Sequence, residues 1–239
     1  VHRGFDAAGG DLTKAPIGTG PWELVSTEVG VKAVYKKRTS GAWWGDTVDG
    51  VGPAYLEGIE FVDYGTDPSA MIAAYEANEI QTAYETPPSY VEIFDGLGLN
   101  KSEAVTANTV CVRMNVKQPP FDNQKVRNAV QLGVDNAVIL DLGYQGLGRK
   151  ADNHHVGPMH PEYFELPAPA RDPAKAKALM AEAGHATTEL ELISLDDDLN
   201  RNTCDAVAAQ LRDAGINCKR TVLPGNTFWN NWTGYPFSS

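Results

Sequence analysis

The chain contains 239 residues, and its 31 acidic side chains outnumber the 20 basic ones, which gives a formal net charge of −11 at pH 7. This charge argues against a nucleic-acid backbone or an anionic membrane surface as the main partner. Hydrophobic residues make up 42% of the chain, a globular composition that excludes a disordered chain, and the length allows one large or two modest domains.

Three short strands are predicted in the first part of the chain. Apolar and polar residues alternate directly after a turn cluster at 17–22, again at 31–38, and again at 56–64. Gly, Pro or Asp bounds each segment, which is typical of strands. We therefore expect these segments to form a small sheet.

Helix N-cap signals recur along the chain. Asp67–Pro68 and Asp172–Pro173 each place a capping side chain before a proline at the first helical position. Asp135 is a third candidate cap and precedes a further apolar segment. Together with the periodicity of the apolar residues, these signals predict four helices: 68–78, 126–134, 135–142 and 174–183. A strand is predicted at 110–115, and a long ordered loop at 143–169.

The last part of the chain contains the clearest unit. Residues 189–194 (ELELIS) read as a strand, 199–214 as an amphipathic helix closed by Gly215, and 216–223 (INCKRTVL) as a second strand. A strand, helix and strand of these lengths form a right-handed crossover with parallel strands. Ligands in such units lie beyond the carboxyl ends of the strands. The loop at 194–198, which we call the acidic loop, is therefore a candidate site.

The acidic loop contains three consecutive carboxylates, Asp196, Asp197 and Asp198. Carboxylates at the mouth of a parallel sheet attract an ammonium, a guanidinium or a metal ion, but aspartates at a helix start also cap the helix. We expect one carboxylate to cap the helix and at least one to face a ligand, with Asp196 and Asp197 as the candidates.

Residues 153–160, the histidine loop, contain three of the five histidines of the chain. Imidazole suits nickel, copper or zinc, but adjacent histidines in an extended loop point in opposite directions. We expect His154 and His155 to form hydrogen bonds within the loop or to contact an organic ligand. A metal site is the alternative.

Four aromatic residues lie between positions 228 and 235. Large planar side chains suit a cleft wall, and we expect two of the four to belong to the core. Trp229 and Trp232 are the candidate ligand contacts.

The sequence lacks the local motifs of an enzyme. It contains no nucleophile elbow, P-loop or GxGxxG motif, and we predict neither an enzyme nor a cofactor.

No apolar run reaches the roughly 18 residues of a membrane span. The three cysteines form no CxxC pair, so we expect buried free thiols.

Several blocks together resemble a known family. They are the GTGPW block at 18–22, the WWG block at 43–45, Arg113-Met114-Asn115 followed by PPFDNQKVRNA at 119–129, and DPAKAKALM at 172–180. In order and spacing these blocks resemble the extracellular solute-binding proteins of peptide and nickel ABC importers, family 5. The resemblance covers 16–239, and 154–163 and 224–239 look like its dipeptide-type branch.

The resemblance implies a two-lobed α/β fold of the type II periplasmic binding protein class, with mixed sheets and flanking helices. Residues 1–115 would form part of the first lobe and 116–239 the second lobe, incomplete at its C-terminus. The hinge would fall near Asn115, which makes Asn115 a further ligand-binding candidate. Family members are longer, so the resemblance also implies that this chain is a fragment.

The function implied by the resemblance is capture of dipeptides or oligopeptides for a membrane permease of an ABC importer, in the periplasm or in an extracellular, membrane-associated location. The protein would act as a monomer, with a peptide or another small molecule as ligand. Two alternatives stay open at this point. One is a binding protein for a metal, an opine or another non-peptide solute, and the other is a hydrolase that uses the acidic loop.

Overall fold

The computed structural model describes residues 2–11, 14–39, 41, 43–65, 68–167 and 170–239. The chain divides into two compact units, Val1–Glu79 and Ile80–Ser239. Compact units within one chain are not the same as the lobes of a binding protein. The lobe assignment of 1–115 and 116–239 therefore stays a prediction.

The first unit contains a three-stranded antiparallel sheet whose strands follow one another in chain order. The strands are β1 (Trp22–Glu28), β2 (Lys32–Lys37) and β3 (Gly58–Val62). The connection from β1 to β2 turns through Gly30, whose φ of +75° is readily adopted only by glycine. The three strands predicted from the alternating pattern are confirmed.

Two helices accompany this sheet, α1 (Arg3–Ala7) and α2 (Pro68–Glu76). The second begins at the predicted proline, while its proposed cap, Asp67, lies outside the described residues. Two of the blocks that carry the family resemblance meet in this unit. The indole N–H groups of Trp43 and Trp44 both donate to the carbonyl oxygen of Thr19, at 3.1 and 3.2 Å.

The second unit contains a four-stranded mixed sheet covered by helices. The order across the sheet is β4 (Arg113–Met114), β7 (Phe237–Ser238), β5 (Leu190–Leu195) and β6 (Cys218–Leu223). The helices are α3 (Pro88–Gly96), α4 (Gln124–Gly133), α5 (Asn136–Tyr144), α6 (Pro173–Glu182), α7 (Asp198–Asp213) and α8 (Gly225–Asn231).

The predicted strand, helix and strand near the end of the chain are confirmed as β5, α7 and β6. The two strands pair in parallel from Leu190 opposite Cys218 to Leu195 opposite Leu223. β7 also runs parallel to β5, and β4 runs antiparallel to β7. The carboxyl ends of three strands therefore lie along one edge of the sheet.

Local capping fixes where the helices of this unit begin. The side chain of Asp135 accepts a hydrogen bond from the Ala137 backbone N–H at 2.8 Å, and Asp172 accepts one from Lys175 N–H at 2.9 Å. Both caps were predicted. They satisfy backbone donors that would otherwise lack partners in the first helical turn.

The core of the second unit lies where α4, α6 and α7 pack against the sheet. Its largest buried side chains include Phe121 and Phe237, whose ring centroids are 5.0 Å apart, and Leu190, Leu192 and Leu211. β5 alternates only weakly because most of its residues are buried, as expected for a strand with parallel neighbours on both sides.

Several elements depart from the sequence-based expectations. The helices α1, α3 and α8 were not predicted, and the strand expected at 110–115 is only Arg113–Met114 long. α3 begins at Pro88, a position that suits proline, and is anchored by the buried side chains of Tyr90 and Phe94. The described part of the predicted loop, beyond the end of α5 at Tyr144, contains neither helix nor strand.

The cysteines are confirmed as buried at two positions and corrected at one. Cys204 and Cys218 are buried free thiols, whereas Cys111 is exposed because it precedes the short β4 and lies outside the core. Burial raises the pKa of the Cys204 thiol to about 12 and that of Cys218 to about 11. Both therefore stay protonated at neutral pH.

These pKa values predict one reactive thiol in the folded protein. At pH 8 the thiolate fraction is about one in a thousand for a pKa near 11 and smaller for a pKa near 12. A disulfide-exchange reagent should modify Cys111 quickly and the two buried thiols only as the protein unfolds. Three equivalents should react in guanidinium, and Cys111→Ser should remove the fast one. Fast reaction of all three in the native protein would contradict this placement.

Candidate functional site

The candidate site lies at the end of the second sheet where β5, β6 and β7 finish, which we call the carboxyl edge. β4 is antiparallel to β7, with Arg113 opposite Ser238, so β4 begins at the same edge. The acidic loop leaves β5 there, and α8 follows β6 there. This edge is where ligands bind in open α/β sheets, because loops and helix N-termini converge on it.

Asp197 is the cap of α7. One of its carboxylate oxygens accepts a hydrogen bond from the Asn200 backbone N–H at 2.7 Å, and the other accepts one from the Asn200 side-chain amide at 2.7 Å. The capping role expected for one of the three carboxylates therefore belongs to Asp197. Its role as a ligand residue stays a prediction, and both of its oxygens already have a partner.

A single guanidinium joins the other two carboxylates of the acidic loop. Arg201 donates to Asp196 Oδ1 at 2.7 Å and, through its other terminal nitrogen, to Asp198 Oδ1. Asp198 Oδ2 accepts further hydrogen bonds from the hydroxyls of Ser89 and Tyr90, at 3.2 and 3.3 Å. Asp198 therefore joins α3 to the start of α7, and both of its oxygens already have a partner.

Asp196 differs from its neighbours because its Oδ2 accepts no hydrogen bond from any described residue. The side chain is 47% exposed, and the backbone N–H of Asp196 donates to Leu223 O at 2.9 Å, which holds the residue between the ends of β5 and β6. An open carboxylate oxygen fixed at this edge can accept hydrogen bonds from an ammonium or a guanidinium.

Beneath the acidic loop, Arg220 ties α7 to the sheet. Its side chain is only 11% exposed and donates to Ser194 Oγ at 2.9 Å, to the Leu192 carbonyl at 2.7 Å and to Asp205 at 2.8 Å. Every side of this guanidinium meets an acceptor, which indicates a structural role. No local sequence pattern predicts these contacts of Arg220, because its partners lie 15 to 28 residues earlier in the chain, on α7 and β5.

Two tryptophans form an exposed aromatic patch near the same edge. Trp229 is 56% exposed and Trp232 is 38% exposed, and their rings meet edge to face with centroids 6.1 Å apart. Phe228 is buried and packs against the half-buried Tyr235. Of the two aromatics expected in the core, only Phe228 is fully buried, while Tyr235 is half-buried and the two tryptophans face outward. The guanidinium of Arg113 lies 4.5 Å from the centroid of the Trp232 ring.

Asn115 lies away from the carboxyl edge, one step beyond β4. Its backbone N–H donates to Pro236 O at 2.8 Å, and its side-chain oxygen accepts from Lys117 N–H at 3.1 Å. These contacts shape the turn after β4. The hinge and ligand-binding roles of Asn115 stay predictions.

In the histidine loop, His154 and His155 differ in environment. His154 is half-buried, its ring lies 6.1 Å from the Tyr163 ring, and its Nε2 has no hydrogen-bond partner among the described residues. His155 is exposed. The described residues contain no group of three or more His, Cys, Asp or Glu side chains placed to hold a metal ion. The ligand role of both histidines stays a prediction.

Comparison with known proteins identifies the family. Residues 2–238 match the family described as bacterial extracellular solute-binding proteins, family 5 Middle, and the chain belongs to this family. Its members are binding proteins of transport systems, so the expectation of a non-enzyme is confirmed. Among the described residues, no helix is both long enough and apolar enough to cross a membrane.

Individual relatives agree with this assignment. The chain is 31% identical to the glutathione-binding protein GsiB of Salmonella paratyphi A over 77% of its length and 34% of that protein. It is 29% identical to the dipeptide-binding protein of Escherichia coli, over 71% of this chain and 30% of that protein. The chain thus spans about a third of the length of the curated relatives it matches.

A solved structure confirms the fold. The periplasmic binding protein DppA from Helicobacter pylori, in complex with the peptide STSA, superposes with a TM-score of 0.75 at 20% identity. The match covers 98% of this chain and 45% of that one. The mixed α/β fold of the periplasmic binding proteins was therefore correctly predicted.

The different roles of Asp196 and Asp197 in the acidic loop predict different losses of unfolding free energy on mutation. Asp197→Ala removes the cap of α7 and should cost about 0.5 to 2 kcal/mol of unfolding free energy. Asp196→Asn weakens only a solvent-exposed ion pair with Arg201 and should cost less than about 1 kcal/mol. Urea unfolding measures both.

Asp141→Ala is the matched control for this experiment, because Asp141 is an exposed aspartate within α5 rather than at its start. Its replacement should leave the unfolding free energy unchanged or slightly raised. A larger loss from Asp196→Asn than from Asp197→Ala would show that Asp197 is not the cap.

Proposed function

We propose that this protein is the substrate-binding component of an ABC importer that captures dipeptides or oligopeptides in the periplasm and delivers them to a membrane permease. Membership of family 5 supports this proposal, and so do two relatives whose names refer to a dipeptide and to glutathione. The observation that carries it for this chain is the open oxygen of Asp196 at the carboxyl edge.

The chemistry of the edge suits a peptide. The free Asp196 oxygen can accept hydrogen bonds from a peptide amine or a basic side chain. Trp229 and Trp232 offer exposed ring surface that can bury the apolar part of a ligand at low entropic cost. Such a site binds its ligand without making or breaking a covalent bond.

Transport would then depend on hinge closure. A ligand held between two lobes stabilises the closed state to the extent that it contacts that state better than the open one. In our proposal the lobes comprise 1–115 and 116–239, Asn115 lies near the hinge, and the protein acts as a monomer without a nucleic-acid partner. The rest of the cleft would come from residues that correspond to the remaining length of the relatives.

The proposal predicts that peptides bind and that a free amine contributes to their affinity. Calorimetry of the protein at its complete natural length should show binding of trialanine and weaker binding of N-acetyl-trialanine. Asp196→Asn should lower the affinity for trialanine about tenfold or more, because it removes a charge-assisted hydrogen bond. The same variant should bind the acetylated peptide almost as the unmodified protein does.

Asp141→Asn serves as the control, since it removes one negative charge from an exposed position within α5. It should change neither affinity. Absence of binding to any di- or tripeptide, together with binding of a nickel–histidine complex, would contradict the peptide proposal and favour a metal-complex carrier.

A further inference from the structure

We propose that Arg113, held against the ring of Trp232, binds a carboxylate group of the ligand at the carboxyl edge. This inference rests on the proposed function, because it assumes that the ligand is a peptide, and it adds the residue that recognises the acidic end of that ligand. Neither Arg113 nor its pairing with Trp232 follows from a local sequence pattern.

The position of Arg113 places it at the edge. It is the first residue of β4 and pairs with Ser238, the last residue of β7. Its guanidinium carbon lies 4.5 Å from the Trp232 ring centroid, within the roughly 6 Å over which a cation is attracted to an aromatic face. The ring holds the guanidinium in place without using its N–H donors.

Most N–H donors of Arg113 have no acceptor among the described residues. The side chain makes one hydrogen bond, a long one of 3.4 Å to Ser238 Oγ, whereas a guanidinium carries five N–H donors. Among the described residues, no carboxylate lies within 4.0 Å of it. By contrast, Arg201 and Arg220 each hold at least one aspartate of the same unit.

A stacked guanidinium is well suited to bind a carboxylate. With the guanidinium carbon 4.5 Å from the Trp232 ring centroid, the ring contact consumes none of the N–H donors. A free guanidinium fork can donate two parallel hydrogen bonds to a carboxylate. Stacking also restricts the rotamers of the long side chain before the ligand arrives, which lowers the entropic cost of binding.

The charges of the edge would orient a peptide. Asp196, Asp197 and Asp198 with Arg201 amount to three negative charges and one positive charge, a net −2, at the end of β5. This cluster repels a carboxylate and attracts an amine. Arg113 lies two strands away across β7, level with Ile193, which is three residues before Asp196. The backbone positions of Arg113 and Asp196 are therefore roughly 14 Å apart. A short extended peptide can span that distance.

The experiment compares trialanine with its C-terminal amide, which differ only in the terminal carboxylate, on the protein at its complete natural length. Unmodified protein should bind the acid at least tenfold more tightly than the amide. Arg113→Gln should bind both with nearly equal affinity, while Arg113→Lys should keep part of the preference, since lysine retains the charge and loses the planar fork.

Arg212→Gln is the matched control. Arg212 occupies the last turn of α7, at the opposite end of the helix from the acidic loop, and donates to the Ala208 carbonyl at 3.0 Å. The Arg212→Gln variant loses one positive charge, as Arg113→Gln does, and should keep the full preference for the acid. Trp232→Leu provides a second test if Arg113→Gln does not fold, and it should reduce the preference because the stack is lost.

The outcomes separate this inference from the proposed function. Equal binding of acid and amide by the unmodified protein, or an unchanged preference in Arg113→Gln, would overturn the role of Arg113 while peptide binding stands. Failure of the unmodified protein to bind either peptide would overturn the proposed function and this inference together.

Discussion

Parallel pairing of β5 with β6 and with β7 is the constraint on which the second unit depends. A parallel pair cannot be joined by a tight turn, so the chain must cross the sheet through α7 between β5 and β6. The crossover places the start of α7 at the carboxyl edge and its end at the opposite edge. The acidic loop and the start of α8 lie at the carboxyl edge for this reason, and β4 begins there because it runs antiparallel to β7.

At the carboxyl edge, hydrogen bonds within the protein determine which carboxylate oxygens and guanidinium donors stay available to a ligand. The carboxylate of Asp197 caps α7, and that of Asp198 accepts from Arg201, Ser89 and Tyr90. Asp196 keeps one oxygen without a partner among the described residues. Arg113 keeps most of its donors because its main contact is the face of an aromatic ring. An open acceptor and an open set of donors, separated across the sheet, match the two charged ends of a zwitterionic ligand better than they match a simple ion.

Sequence reasoning reached those parts of the fold that are fixed by neighbours in the chain. The β5–α7–β6 unit and the Asp135 and Asp172 caps depend on periodicity and on contacts within four residues, and both were predicted. α3 and α8 were missed because tertiary burial of Tyr90, Phe94 and Phe228 stabilises them. Asp196 and the two tryptophans were singled out by residue type, but Arg113 was not, since its contact with Trp232 joins distant parts of the chain.

The most direct test of the account asks whether the carboxyl edge is where the ligand binds. The protein would be labelled with ¹⁵N at its five tryptophans, and the indole resonances of Trp229 and Trp232 assigned through their Phe variants. The account predicts that both resonances shift during titration with trialanine, with the same dissociation constant that calorimetry gives. Calorimetric binding of the peptide with both resonances unmoved would contradict the placement of the site at this edge.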